Sequence, residues 1–278
     1  MQKGPHDRSV IKHTVCASVL LRMKLRNDQP SDLVNAAMAV AMRQELYIAN
    51  IIRQPMEIAG HHCGVDGSLG PAPDFMWALR ITSHTVRVTN YAYGSHYQSQ
   101  EHWNQLWLYL DDWDMGKPSS FNPLNRVDGA STPPNASSDS SSGTGVATGK
   151  FPELYYMSDA PIAARQYLEI CKILLLAHDP RVSPLGLGRT ASLAAQEENI
   201  RESVRIMVGI CLSNPEYTAA TILAGLAVGM AGELFTEPDE ISQLAGIASR
   251  AESHIGWPGL KVSQRLEEFW AVNAPSVD

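Results

Sequence analysis

Cysteine is scarce in this chain of 278 residues. The four present, Cys16, Cys63, Cys171 and Cys211, are far apart and form no C-x-x-C pair. That excludes a small disulfide framework, and it argues against a structural zinc site, whose ligands come closely spaced from short loops. They are read as free, buried cysteines of an intracellular protein. A long apolar run is also missing. The best candidate, Ala219 to Gly232, falls short of the ~20 residues needed to span a bilayer. Its Gly225 and Gly229 form a G-x-x-x-G, here read as close packing inside a soluble core. Positive charge is in deficit as well, with 22 Lys+Arg against 29 Asp+Glu and a net charge of -7. Broad attraction to nucleic acid or to an anionic membrane is therefore not expected. The first residues, MQKGPHDRSVIKHTV, lack the apolar stretch of a signal peptide.

What is present is enough to build a core. Hydrophobic residues make up 44% of the chain, near the globular average. The length fits one large domain or two small ones. From Gly116 to Gly149, Ser, Gly, Pro, Asn and Thr dominate, and large apolar residues nearly vanish. Such a stretch cannot bury enough surface to offset chain entropy. The expected division is a first helical part at 1–115, a disordered insertion at 116–150, and a second helical part of the same domain at 151–278.

The helical expectations rest on periodicity and on start and stop residues. Asp32 to Arg53 reads as a helix, with Pro30 before it and Pro55 after. Pro73-Asp74 opens another, with Trp77, Ile81 and Val88 on one face, although Thr85 to Tyr93 also suits a strand. Tyr97 to Trp113 is an aromatic-rich helix. From Ser158, apolar residues at Ala163, Tyr167, Ile170, Leu174 and Ala177 share a face, with Arg165, Glu169 and Lys172 turned away. Pro180 stops this helix. Further helices are expected from Ser192 to Ser213, across the Ala/Gly-rich segment, from Thr236 onward, and from Leu260 to Trp270. No run of strands and no solenoid repeat is evident. The fold class is all-α, an irregular multi-helix bundle broken by the insertion.

Chemistry-bearing residues are few. His61, His62, Cys63 and Asp66 are all metal-ligand types. They lie in a Gly/Pro-rich loop that offers no rigid helix to aim them, so no metal site is assigned. A metal-dependent enzyme using these four is the alternative. His84 shares a face with Trp77 and Val88 and reads as a core histidine. His178 caps a helix end, where the dipole favours a cation, while His96 and His102 belong at the surface of the aromatic helix. Asp111, Asp112 and Asp114 read as a solvated acidic edge. Gly186-Leu187-Gly188 follows a helix, not a strand, and is no dinucleotide loop. Neither a G-x-S-x-G elbow nor a Walker sequence occurs, so no catalytic residue is assigned and no enzymatic activity is expected. The chain up to Pro30 carries a net +4 and the remainder -11. The basic start is read as the solvated face of a helix with Val15, Val19 and Met23 on its other side.

Several segments resemble one family. YMSDAPIAARQYLEICKILLLAHDPRV, followed by GLGRTASLAAQEENIRESVRIMVGICLSNP, is similar to the effector region of fungal zinc-cluster transcription factors. WNQLWLYLDDWDMGKPSSFNPL, HIGWPGLKVSQRLEEFW and MRQELYIANIIRQP extend the likeness over most of the chain outside the insertion. The resemblance is to the fungal-specific transcription factor domain, in the subgroup of cutinase-promoter-binding regulators. It implies an all-helical nuclear domain that controls RNA polymerase II transcription through co-regulator contacts and dimer state. Some such domains sense metabolites. It also implies a DNA-binding binuclear zinc cluster on the N-terminal side, with six closely spaced cysteines and many basic residues. None of that is in this sequence, so no DNA-binding, metal or cofactor residue is assigned here, and zinc is expected only in the missing module. The chain is read as a fragment, or as a paralogue without its DNA-binding head. Trp103, Trp107, Tyr109 and Trp113 are residues that could line a groove or pack a core. A dimerisation fragment deficient in DNA binding is a further alternative. No membrane partner is expected.

Overall fold

The computed structural model describes residues 32–56, 65–95, 98–129, 150–182, 186–255 and 261–273. Among them are eight α-helices and one two-stranded ribbon: α1 (Asp32–Ile52), α2 (Asp74–Tyr93), α3 (Gln100–Gly116), β1 (Asn125–Val127), β2 (Glu153–Tyr155), α4 (Asp159–Ala177), α5 (Arg189–Ser213), α6 (Thr218–Ala231), α7 (Pro238–Ile255) and α8 (Val262–Asn273). The expected all-α class is what the chain adopts. The basic segment before Pro30 lies outside the described residues, as do His61, His62, Cys63 and His96.

Two helices organise the bundle. α4 packs against α2, α3, α5 and α6, and α6 packs against α1, α4, α5 and α7. Each is therefore wrapped on most sides, which explains their composition. The successive residues Leu223, Ala224, Gly225 and Leu226 of α6 are all buried, which takes in every side of one turn, so the helix shows no polar stripe. Close approach is possible because Gly225 sits against Ala251 of α7 and Gly229 against Val262 and Ile51. No helix among the described residues is long and apolar enough to cross a membrane.

A single hydrophobic cluster takes Trp77, Ile81 and Trp103 from before the low-complexity stretch and Leu168, Met207 and Leu244 from after it. Trp103 donates its indole N–H to the Leu175 carbonyl at 2.8 Å, and Trp113 donates to that of Trp77 at 3.1 Å. These indoles are core members tied across helices.

One open alternative is decided, and two expectations need correction. Thr85 to Tyr93 is helical, because the short alternation of Val86 and Val88 lies inside a continuous 20-residue helix with buried residues on most faces. Glu169 does not face solvent but is fully buried, as is its neighbour Gln166. The wrapping of α4 leaves it no wet side there. Glu169 pairs within the helix, with Arg165 Nη2 at 2.7 Å and Lys172 Nζ at 3.3 Å. Third, residues 116–129 of the expected insertion are structured. Ser119–Phe121 forms a 3-10 turn that buries Phe121 against Trp113. Asn125–Val127 then pairs antiparallel with Glu153–Tyr155, Arg126 opposite Leu154. Residues 130–149 lie outside the described residues.

Asn214 fixes this ribbon to the bundle. Its side chain donates to the Leu154 carbonyl at 2.8 Å and accepts from the Tyr156 amide at 3.2 Å. The carboxamide thus pairs with the edge of β2 as another strand would. The Asn214-Pro215 that ends α5 is therefore also an anchor point.

Candidate functional site

The residues singled out by sequence fall in separate places. Asp66 is exposed at the start of a loop. Its carboxylate accepts from the Ser68 amide at 2.9 Å and hydroxyl at 2.5 Å, and it faces Arg80 Nη2 at 3.4 Å. The two Ser68 hydrogen bonds, with the guanidinium beside them, hold this carboxyl below the usual range. The carboxylate is already engaged in closing its own turn. The other three residues of the alternative metal loop lie outside the described residues, and no group of metal-ligating side chains occurs among those described.

His84 is buried and stacked on Tyr109, with ring centroids 4.3 Å apart. Its Nε2 donates to the Leu106 carbonyl at 3.0 Å, and its Nδ1 has no partner. Burial, with the charge of Arg87 adding to it, pushes the imidazole down to about 3, so it is neutral. It is a core histidine. His178 bonds the Leu174 carbonyl through Nδ1 at 2.9 Å and closes the end of α4. His102 is exposed and meets Tyr91 edge to face. Asp111 and Asp112 are exposed, whereas Asp114 is half-buried and accepts from Lys117 Nζ at 2.8 Å. These groups do not converge on one point.

The two described cysteines also lie apart. Cys171 on α4 donates to Thr85 Oγ1, and Cys211 on α5 donates to Thr221 Oγ1. Burial pushes the Cys171 thiol up to about 12 and raises that of Cys211. Buried thiols on separate helices, each hydrogen-bonded to a threonine, do not fit a zinc cluster, which needs converging thiolates.

Sequence periodicity did not reveal what four distant helices enclose. α1, α4, α6 and the end of α7 surround a cavity of about 310 Å³, open on one side. Small-molecule sites start at about this size. One wall is apolar: Ala163 from α4 and Ala219, Ile222 and Leu223 from α6. The rest of the lining is polar: Arg43, Gln44 and Tyr47 from α1, Tyr167 one turn from Ala163 on α4, and His254 from α7. Burial, with the charge of Glu252 adding to it, pushes the Tyr47 phenol up to about 12. Burial also raises Tyr167, against the opposing charge of Arg43. Both are neutral hydroxyls at ordinary pH. Arg43 Nε is buried with no hydrogen-bond partner. The one signal that could have pointed here is that Arg43 is the lone cation of α1 in an Ala/Met/Val-rich stretch.

Comparison with family models, with curated proteins and with solved structures finds no match for this chain.

Proposed function

We propose that the chain is a helical effector domain of the fungal zinc-cluster regulator type. It acts in the nucleus, through contacts with transcriptional co-regulators and with a second copy of itself. DNA is reached only through a zinc-cluster module outside this sequence. The proposal starts from the resemblance of the segments quoted above. One observation carries it further. Three of the four walls of the cavity come from those same segments: Arg43 and Tyr47 from MRQELYIANIIRQP, Ala163 and Tyr167 from the α4 segment, and His254 from the last one. A regulatory domain needs an element whose state a signal can bias, and a cavity where helices distant in sequence meet is such an element.

The test is transcriptional. The full chain is fused to an unrelated DNA-binding domain and expressed in a fungal host with a matching reporter. The expected result is a reporter output several-fold above or below that of the DNA-binding domain alone. A fusion that is stable, nuclear and without effect on the reporter overturns the proposal.

A further inference from the structure

We infer that the cavity between α1, α4, α6 and α7 binds a small amphipathic carboxylic acid, with its carboxylate on Arg43 and its apolar body against Ala163, Ile222 and Leu223. This deepens the regulatory proposal by naming what the domain would sense, and rests on that proposal only for its biological purpose.

The first support is the state of Arg43. Its Nε is buried and unpartnered, and none of the ion pairs among the described residues includes it. Arg165 also has a buried, unpartnered Nε, but its Nη2 is paired with Glu169, and Arg205 is paired with Glu240 and Glu198. Arg43 is half-buried, and it is the Nε–H of its guanidinium that is withdrawn from water without an acceptor, which is costly. At the wall of a cavity, the missing acceptor can be supplied by a ligand.

The second support is the polarity of the cavity. Arg43 and Tyr167 put hydrogen-bond donors on the lining of the cavity, with the exposed Gln44 beside them. Glu252, whose charge acts on Tyr47, is occupied elsewhere. Its two oxygens accept from the Ser263 amide at 2.9 Å and hydroxyl at 2.6 Å. The remaining lining, Ala163, Ala219, Ile222 and Leu223, is aliphatic. A ligand that satisfies both sides has an anionic head and an apolar body. One guanidinium flanked by neutral phenols matches a monoanion, and its planar fork matches a carboxylate. A phosphate dianion would call for more positive charge. The size of the cavity limits the body to a short chain or one ring.

The probes are octanoate, phenylacetate, octanol, octylamine and inorganic phosphate. Each is titrated into the purified full chain by calorimetry and by thermal melting. The expected result is saturable binding of octanoate or phenylacetate with a rise in Tm, octanol binding at least about tenfold weaker, and no binding of octylamine or phosphate. Arg43→Gln is expected to weaken carboxylate binding by about ten- to a hundredfold, while leaving the ligand-free Tm unchanged or higher. A merely structural arginine would lower that Tm. Ala163→Leu fills the apolar side and is expected to abolish binding of octanoate and octanol alike, which keeps the test decisive if Arg43→Gln does not fold. Equal binding of octanol and octanoate, undiminished binding by Arg43→Gln, or no carboxylate binding at millimolar concentration overturns the inference. A fusion that drives the reporter while carboxylates do not bind sinks the ligand and spares the regulatory proposal. Binding with a silent reporter does the reverse.

Discussion

Three glycines on two packed helices give a graded test of how the bundle is held together. At Gly225 on α6, an added Cβ falls deep inside the methyl of Ala251 on α7. That methyl is fixed to its backbone and has no rotamer to change. Carbon atoms rest about 3.5–4.0 Å apart, so α6 and α7 would have to separate by about an ångström. Overpacking of this kind costs about 1–3 kcal/mol, and the helix preference of alanine over glycine returns just under about 1 kcal/mol. With a rigid neighbour the upper half of that range applies, so Gly225→Ala should destabilise by about 2 kcal/mol. At Gly229 the obstacles are Val262 Cγ1 at 2.9 Å and Ile51 Cδ1 at 3.1 Å. Both are ends of side chains that can turn aside, so Gly229→Ala should lie within about 1 kcal/mol of neutral. At Gly246 on α7 nothing lies within 4 Å, and alanine there should stabilise by about 0.5–1 kcal/mol. Urea unfolding of the three variants measures the series. In melts, each kcal/mol corresponds to about 2–4 °C for a domain of this size class. Ala251→Gly placed in the Gly225→Ala background should recover part of the loss, with a coupling of about 0.5–3 kcal/mol. If Gly225→Ala proves as stable as Gly246→Ala, or if the double variant is additive, the close contact of α6 with α7 is refuted.

Two further predictions concern buried titratable groups. His84 titrates at about 3 in the fold, because of burial, and near 6.5 when unfolded. Between those values the unfolded chain binds the extra proton, so this contribution is complete above about pH 6.5 and is lost as pH falls. The loss reaches about 2 kcal/mol at pH 5. His84→Gln should remove that share of the pH dependence, and parallel stability profiles of the two proteins from pH 7 to 5 would count against it. Cys171, pushed up to about 12 by burial, should resist iodoacetamide at pH 8 until denaturant is added. Labelling of the native chain, mapped to Cys171 by mass spectrometry, would contradict its burial.

Most helices could be placed from sequence, because their ends carry local signals. Asp159 and Pro161 open α4, the chain turns at Pro180, and Asn214-Pro215 closes α5. These depend on neighbours a few residues apart. What escaped depends on partners far away. Glu169 looks like a solvent residue by its spacing, and only the helices on every side of α4 bury it. The ribbon strands have three residues each, one of them inside a Ser/Pro-rich stretch, and their stability comes from Asn214 and Phe121 rather than from strand propensity. The cavity is assembled from α1, α4, α6 and α7, so no single segment shows it. Of the residues weighed for chemistry, His84 and Asp66 each have a structural task, and Arg43 was passed over.

The β1–β2 ribbon has a geometric consequence for residues 130–149. Gly129 and Lys150 lie side by side at its open end, so close that a Cβ on Gly129 would meet the Lys150 carbonyl. The intervening segment starts and finishes at one point on the surface. Its length then has little purchase on the bundle, since doubling a closed loop costs only about 0.6 kcal/mol. Insertions or deletions between Gly129 and Lys150 are therefore expected to leave the stability of the bundle nearly unchanged.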